Sequence, residues 1–272
     1  MTRITIGQYY PTNSPIHRVD SRVKLIAAFA HITAVLLVNN FIGYGVVALY
    51  VLGVIWASRV PFMLILRGLR AIIFILMFAV AINLFFAPGY NVLFHFGFLR
   101  ITTEGLIHAA QMALRLTLLI TGTSILTLTT SPIRLTDGIE SLLRPLKIIK
   151  VPAHDIAMMM TIALRFIPTL ADEMQKIMKA QKARGADFDT GNLLQRGKSL
   201  LPVLVPLFVS SFKRAEELAT AMEARCYRGD IGRTKMNPMK MTPADILSLG
   251  VILLVTAVTI LTRWIMPFLR YL

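Results

Sequence analysis

The sequence predicts an all-α integral membrane protein: about five transmembrane helices and a cytoplasmic-side domain of long amphipathic helices. Three observations predict it. The 272 residues are 56% apolar and only 16% charged, with mean hydropathy +0.66, too apolar for an ordinary soluble domain. Long apolar runs cluster between residues 25 and 130 and recur at 246–261, whereas residues 131–241 hold no uninterrupted stretch near the ~20 residues that a spanning helix needs. The 29 Lys and Arg against 14 Asp and Glu sort to one side of the membrane once these spans are drawn.

The N-terminal segment 1–24 carries Arg18, Arg22 and Lys24 just before the first apolar run, a basic flank that favours a cytoplasmic start. A first span is expected at about Leu25–Val38 and a second at Phe41–Ala57, an antiparallel hairpin because only Asn39 and Asn40 join them. Residues 58–70, with Arg59, Arg67 and Arg70 around Pro61, read as an interfacial turn. A third span follows at Ala71–Phe86. The loop 90–103, with His95 and Arg100, should face outward, and a fourth span runs from Glu104 to Thr130. Ser131 then caps a new helix that begins at Pro132 and stops before Pro145.

Two parts complete the chain. Region 131–241 is basic and amphipathic, while 242–272 returns through the membrane at about Ile246–Leu261. This topology places 25 Lys and Arg inside and 3 outside, with Arg115 within the fourth span. The basic excess is thus a topological signal, and nucleic acid is not needed to explain it. No short apolar core with a cleavage site precedes Lys24, so no signal peptide is expected. The one cysteine, Cys226, excludes an intrachain disulfide.

Within region 131–241, Ile156, Met160, Ala163, Ile167, Leu170, Met174, Ile177 and Met178 recur at helical spacing from Ala153 to Arg184. Gly185 ends that helix, as glycine does by taking the left-handed conformation. Residues 186–198 read as a polar turn, and a second amphipathic helix is expected from Leu200 to Cys226, interrupted near Pro202 and Pro206. The two long helices form a hairpin or cross, each with an arginine at its end. Arg184 and Arg225 both follow an alanine, and small neighbours let another protein approach. Arginine suits multidentate engagement of carboxylates or carbonyls, so the pair reads as docking tips for an acidic groove. A cation at a helix C-terminus also simply complements the helix dipole.

Other chemistry finds little support. The stretch from Gly191 to Ser199 has five residues between its glycines where a phosphate-binding loop has four, and no strand precedes it. Five scattered histidines show no metal-ligand spacing, and no catalytic set assembles, so neither a metal site nor an enzyme is expected. His108, Gln111 and Arg115 make one polar stripe on the fourth span. They form either an internal tie, with Asn83 as a plausible partner, or the lining of a self-contained secondary transporter or channel.

Five stretches together resemble the transmembrane T component of energy-coupling-factor transporters: His17 to Lys24 (including Asp20), Leu114 to Leu116, Thr129 to Pro132, Ala163 to Pro168 (including Arg165), and Gln181 to Phe188. The resemblance covers nearly the whole chain. It implies that Ala183-Arg184-Gly185 and Ala224-Arg225-Cys226 end crossed coupling helices and dock into two ABC ATPase subunits, with cysteine replacing glycine in the second. It further implies a small membrane substrate-binding subunit beside this chain, ATP and Mg bound only by the ATPases, no cofactor in this chain, and a bacterial cell membrane location; the span count itself puts the C-terminus outside.

Overall fold

The computed structural model describes residues 9–86, 92–96, 99–150, 152–188, 190, 192–229, 239 and 241–269. Residues 1–8, Gly191 and Lys240 lie outside them. The chain divides into two compact units: a membrane unit within residues 7–141 and 238–272, and an arm within residues 142–237.

The membrane unit starts with α1 (Pro15–Arg18), α2 (Ser21–Leu37) and α3 (Phe41–Ser58). Each begins at a residue whose side chain accepts a hydrogen bond from an early helical N–H: Ser14 for α1, Asp20 for α2 and Asn40 for α3. Then come α4 (Phe62–Phe86), an antiparallel hairpin of β1 (Val92–Phe96) and β2 (Leu99–Thr102), α5 (Thr103–Thr129) and α6 (Pro132–Leu143). The last helix, α9 (Pro243–Leu269), closes this unit. Ser131 caps α6 through its hydroxyl, which accepts from the Arg134 N–H at 3.4 Å.

Among the described residues, three helices are long and apolar enough to cross a membrane: Phe41–Ser58, Thr103–Thr129 and Pro243–Trp264. Phe62–Arg70 and Ile72–Phe85 make a fourth if the bent pair is one span. The expected first span lies on α2, one residue shorter than α3. α2 has 17 residues, or ~26 Å of helix against a hydrocarbon core of ~30 Å, and its first turn holds Arg22 and Lys24.

The interfacial turn expected at 58–70 is instead mostly helix. Residues 62–70 form the first part of α4, which bends by 60° before Ile72. Arg67 and Arg70 favour the wet interface, and Gly68 between them lowers the cost of departing from a straight helix. Likewise the expected loop at 90–103 contains the β1–β2 hairpin.

Ala34 and Val35 of α2 and Val38 just after it pack with Tyr44, Val47 and Val51 of α3, Leu118 and Ile125 of α5, and Val255 of α9. In a bilayer such a core gains little from water exclusion, so close packing and internal hydrogen bonds carry specificity. Those hydrogen bonds cluster at two levels. At the α2–α3 turn, Asn40 Nδ2 donates to the Thr262 carbonyl at 2.9 Å and ties α9 in. At the start of α2, the buried Lys24 donates to the Thr129 carbonyl at 2.9 Å. There the Asp20 N–H also donates to Asp245 Oδ1 at 2.7 Å. Asp245 is 1% exposed, and its other oxygen accepts from the N–H and the hydroxyl of Thr242.

The arm holds a 3-10 segment (Arg144–Ile149), α7 (Ala153–Ala183) and α8 (Leu193–Ala224). α8 begins seven residues before the expected Leu200. Asn192 and Gln195 form a capping box, in which the Gln195 side chain accepts from the Asn192 N–H at 3.1 Å. Pro202 and Pro206 sit inside an unbroken α8, and Pro168 inside α7. Gly197, Lys198 and Ser199 are therefore helical and form no phosphate loop.

Candidate partner-docking site

α7 and α8 run antiparallel, bridged at three heights. Near the end of α7, Gln181 Nε2 donates to the Pro202 carbonyl at 3.4 Å. Midway, Glu173 accepts from the Ser210 hydroxyl at 2.5 Å and from Arg214 Nη2 at 2.9 Å. Near the start of α7, the Tyr227 hydroxyl donates to Met158 Sδ at 2.9 Å. The paired positions move oppositely in number, as an antiparallel hairpin demands. Between the helices runs a groove lined by Ile162, Phe166 and Leu170 on one side and Leu218 and Met222 on the other.

Glu173 holds the middle. The Ser210 hydroxyl, opposed by partial desolvation and aided by Arg214, lowers its carboxyl below the ordinary range. Sequence reading missed this clamp, although Glu173 and Arg214 are opposite charges on facing stripes.

The apolar stripe read from the sequence divides. On α7 the positions facing α8 are Met158, Ile162, Phe166 and Leu170, while Met160, Ala163 and Ile167 of the expected stripe are exposed. α8 repeats the pattern: Leu204, Val205, Phe208 and Phe212 form an uncovered face, the two phenylalanines 64% and 62% exposed. Each helix thus has one apolar stripe spent on its neighbour and another left open within the arm. Arg165 and Pro168 are also exposed.

The two helix ends are built alike. After α7, the Gly185 N–H donates to the Lys182 carbonyl at 3.0 Å and the Ala186 N–H to the Gln181 carbonyl at 3.0 Å. After α8, the Cys226 N–H donates to Glu223 at 2.8 Å and the Tyr227 N–H to Met222 at 3.0 Å. Both are the Schellman motif, in which a left-handed residue turns the chain and satisfies the last carbonyls. Gly185 has φ 88° and Cys226 has φ 55°, so the cysteine adopts the conformation that its position demands. Arg184 and Arg225 are the C-cap residues, with φ, ψ of −86°, 7° and −92°, 14°.

Both arginines are exposed, as are Ala183, Ala224 and Cys226. Because the helices are antiparallel, the arginines lie at opposite ends of the hairpin. Arg225 lies at the level of about residue 160 of α7, so some 24 residues of helix, ~36 Å, separate it from Arg184. The structure does not bring them into one site. It offers two identically formed cationic tips.

The polar stripe of α5 resolves as an internal tie. Arg115 donates from Nε to the Tyr44 hydroxyl at 3.0 Å, and from Nη2 to the Val38 carbonyl at 3.0 Å and to Asn39 Oδ1 at 3.4 Å. Gln111 donates to the Asn39 carbonyl at 3.1 Å. His108 is exposed. Asn83, the expected partner, instead donates to the Ala79 carbonyl of its own helix at 2.9 Å. Gln111 and Arg115 thus bind one turn, that between α2 and α3.

The basic segment before α2 is structural too. Asp20 caps α2, with the Arg22 N–H donating to it at 2.9 Å, and Arg22 Nη2 donates to the Met239 carbonyl at 3.3 Å. Arg18 is exposed. The buried His17 shares a 2.7 Å hydrogen bond with the Ser14 hydroxyl and donates from Nε2 to the Tyr10 carbonyl at 2.9 Å. Burial lowers its pKa. Sequence reading missed Asp245 at this cluster. Its signal was Thr242-Pro243-Ala244-Asp245, a Ser/Thr-x-x-Asp start to an apolar helix.

Comparison with known proteins agrees with this architecture. Residues 12–237 match the family CbiQ, described as cobalt transport protein. The energy-coupling factor transporter transmembrane protein EcfT of Ruminiclostridium cellulolyticum is 53% identical over 262 residues, covering 96% of this chain and 98% of that one. EcfT of Clostridium kluyveri is 54% identical, covering 96% and 97%, and EcfT of Bacillus subtilis is 47% identical, covering 90% and 92%. Matches at this identity and coverage, on a helical fold with membrane-spanning segments, show that the chain belongs to the CbiQ family as a transmembrane T component of energy-coupling-factor transporters.

Proposed function

We propose that this chain is the coupling scaffold of an ATP-driven micronutrient importer in the bacterial cell membrane. Arg184 and Arg225, with their flanking Ala183, Gly185, Ala224 and Cys226, each dock into an acidic groove of one of two ABC ATPase subunits. The ATPases bind the ATP and Mg, and this chain needs no cofactor. The uncovered apolar stripes of α7 and α8 carry a small substrate-binding membrane subunit, because faces of that size are not left to water. Closure of the ATPases on ATP moves the two tips, the hairpin tilts, and the substrate subunit above it reorients to release its cargo. Cargo identity then belongs to that subunit.

The observation that carries this reading is the pair of matching Schellman ends, each presenting an exposed arginine at one extremity of a stiff antiparallel hairpin. One such end is ordinary helix capping; two of the same construction suit two copies of one kind of groove. The basic segments support a cytoplasmic N-terminus and arm, with the C-terminus outside. Replacing both Arg184 and Arg225 by alanine should abolish copurification of the ATPases and substrate uptake while the chain stays in the membrane. Full retention of both would overturn the proposal.

A further inference from the structure

We propose that the membrane unit holds one acyl chain of an anionic phospholipid in a cavity between α2 and α3, with the head group at Lys24. The two helices meet at their shared turn, where the Tyr44 hydroxyl donates to the Val38 carbonyl, and contacts between them elsewhere are few. α5 and α9 each pack against both helices. The cavity lies among these four helices, about 320 Å³, and Pro15 and Ile16 of α1 line it as well.

Its chemistry selects the occupant. The walls are overwhelmingly apolar, with Ala28, Val54, Ile125 and Leu247 among them. The volume lies at the low end of the ~300–1,000 Å³ of small-ligand pockets, enough for a single chain and too little for a protein segment. Leu247 and Val251 on α9 line it and are 70% and 44% exposed, and they belong to a helix apolar enough to span the membrane. Bilayer hydrocarbon therefore abuts this rim.

One end holds the Lys24 ammonium, with Arg134 and the carboxylates of Asp20 and Asp245 near it. Lys24 Nζ has three N–H bonds, of which one is directed at the Thr129 carbonyl, and a phosphate can take another. Seven residues deeper, ~10 Å along α2, the His31 imidazole and Gly122 line the cavity together. His31 Nε2 donates to the Leu118 carbonyl at 3.0 Å, and a Cβ on Gly122 would lie 2.2 Å from that nitrogen. The glycine lets the ring in and so fixes the depth of the cavity.

The test uses the full chain in vesicles containing phosphatidylglycerol that carries a diazirine near the middle of one acyl chain, at about the depth of His31. Irradiation should label the peptides containing Ala28–His31 and Gly122–Leu126, and Ala28→Phe, which fills the space, should remove that label. Labelling confined to outward faces such as Phe74 and Leu254 in the wild-type protein would overturn the proposal whatever the variant does. So would cavity labelling that survives Ala28→Phe. Neither outcome bears on ATPase docking, which the arginine variants address separately.

Discussion

Cys226 offers the sharpest test of how the two arginine-bearing ends are built. At φ 55° its Cβ sits in the left-handed region, which costs a non-glycine residue roughly 1–2 kcal/mol. Glycine removes that cost but has more freedom to lose on ordering, roughly 0.5–1 kcal/mol. The balance predicts that Cys226→Gly stabilises the turn by about 0.5–1 kcal/mol, or about two- to fivefold in a local opening equilibrium. Hydrogen exchange reads this directly, because the Cys226 and Tyr227 amides are bonded to the Glu223 and Met222 carbonyls. Their protection should rise by that factor. Gly185→Ala, made where φ is 88°, should lower protection of the Gly185 and Ala186 amides by a similar factor. If both substitutions shift protection in the same direction, the left-handed turn is not what holds these ends.

Four further outcomes are expected. Arg115→Ala removes the donors to Val38, Asn39 and Tyr44 and should destabilise the purified membrane unit by about 1–3 kcal/mol, read as earlier thermal aggregation; Lys, lacking the planar fork, should not rescue it. Gly122→Ala should force His31 off the Leu118 carbonyl and cost about 1–3 kcal/mol in the same melt, and adding His31→Ala should recover much of the loss. Asp245→Ala leaves the Asp20 and Thr242 N–H groups unpaired and should speed proteolysis between α8 and α9. Because the Glu173 carboxyl titrates below its ordinary value, its contribution to the α7–α8 pairing is present above that value and fades as pH falls through the lowered one; spin labels on the two helices should separate in acid in the wild type but not show this dependence in Glu173→Gln.

The sequence alone determined what depends on local chemistry. Hydropathy set the membrane class, Ser131 and Pro132 marked the start of α6, and Gly185 marked the end of α7 through the backbone conformation that it permits. Even where the reading missed, a local signal was present: Asn192 and Gln195 form the box that begins α8. Pro202 and Pro206 misled because a proline interrupts only its own hydrogen bond, and packing along the rest of a 32-residue helix tolerates it.

Tertiary structure decided everything that depends on a partner distant in sequence. Arg115 could be placed in a span by its number, but the carbonyl that it satisfies lies 77 residues away, and Asp245 reaches Asp20 across 225. Periodicity revealed that α7 is amphipathic; it could not say that Phe166 faces α8 while Ile167 stays exposed, since both stripes are apolar and only the neighbouring helix breaks the tie. The same holds for the arginines. Their residue types and spacing were written in the chain, whereas their position at opposite ends of one hairpin follows from the antiparallel pairing of α7 and α8, which no single helix specifies.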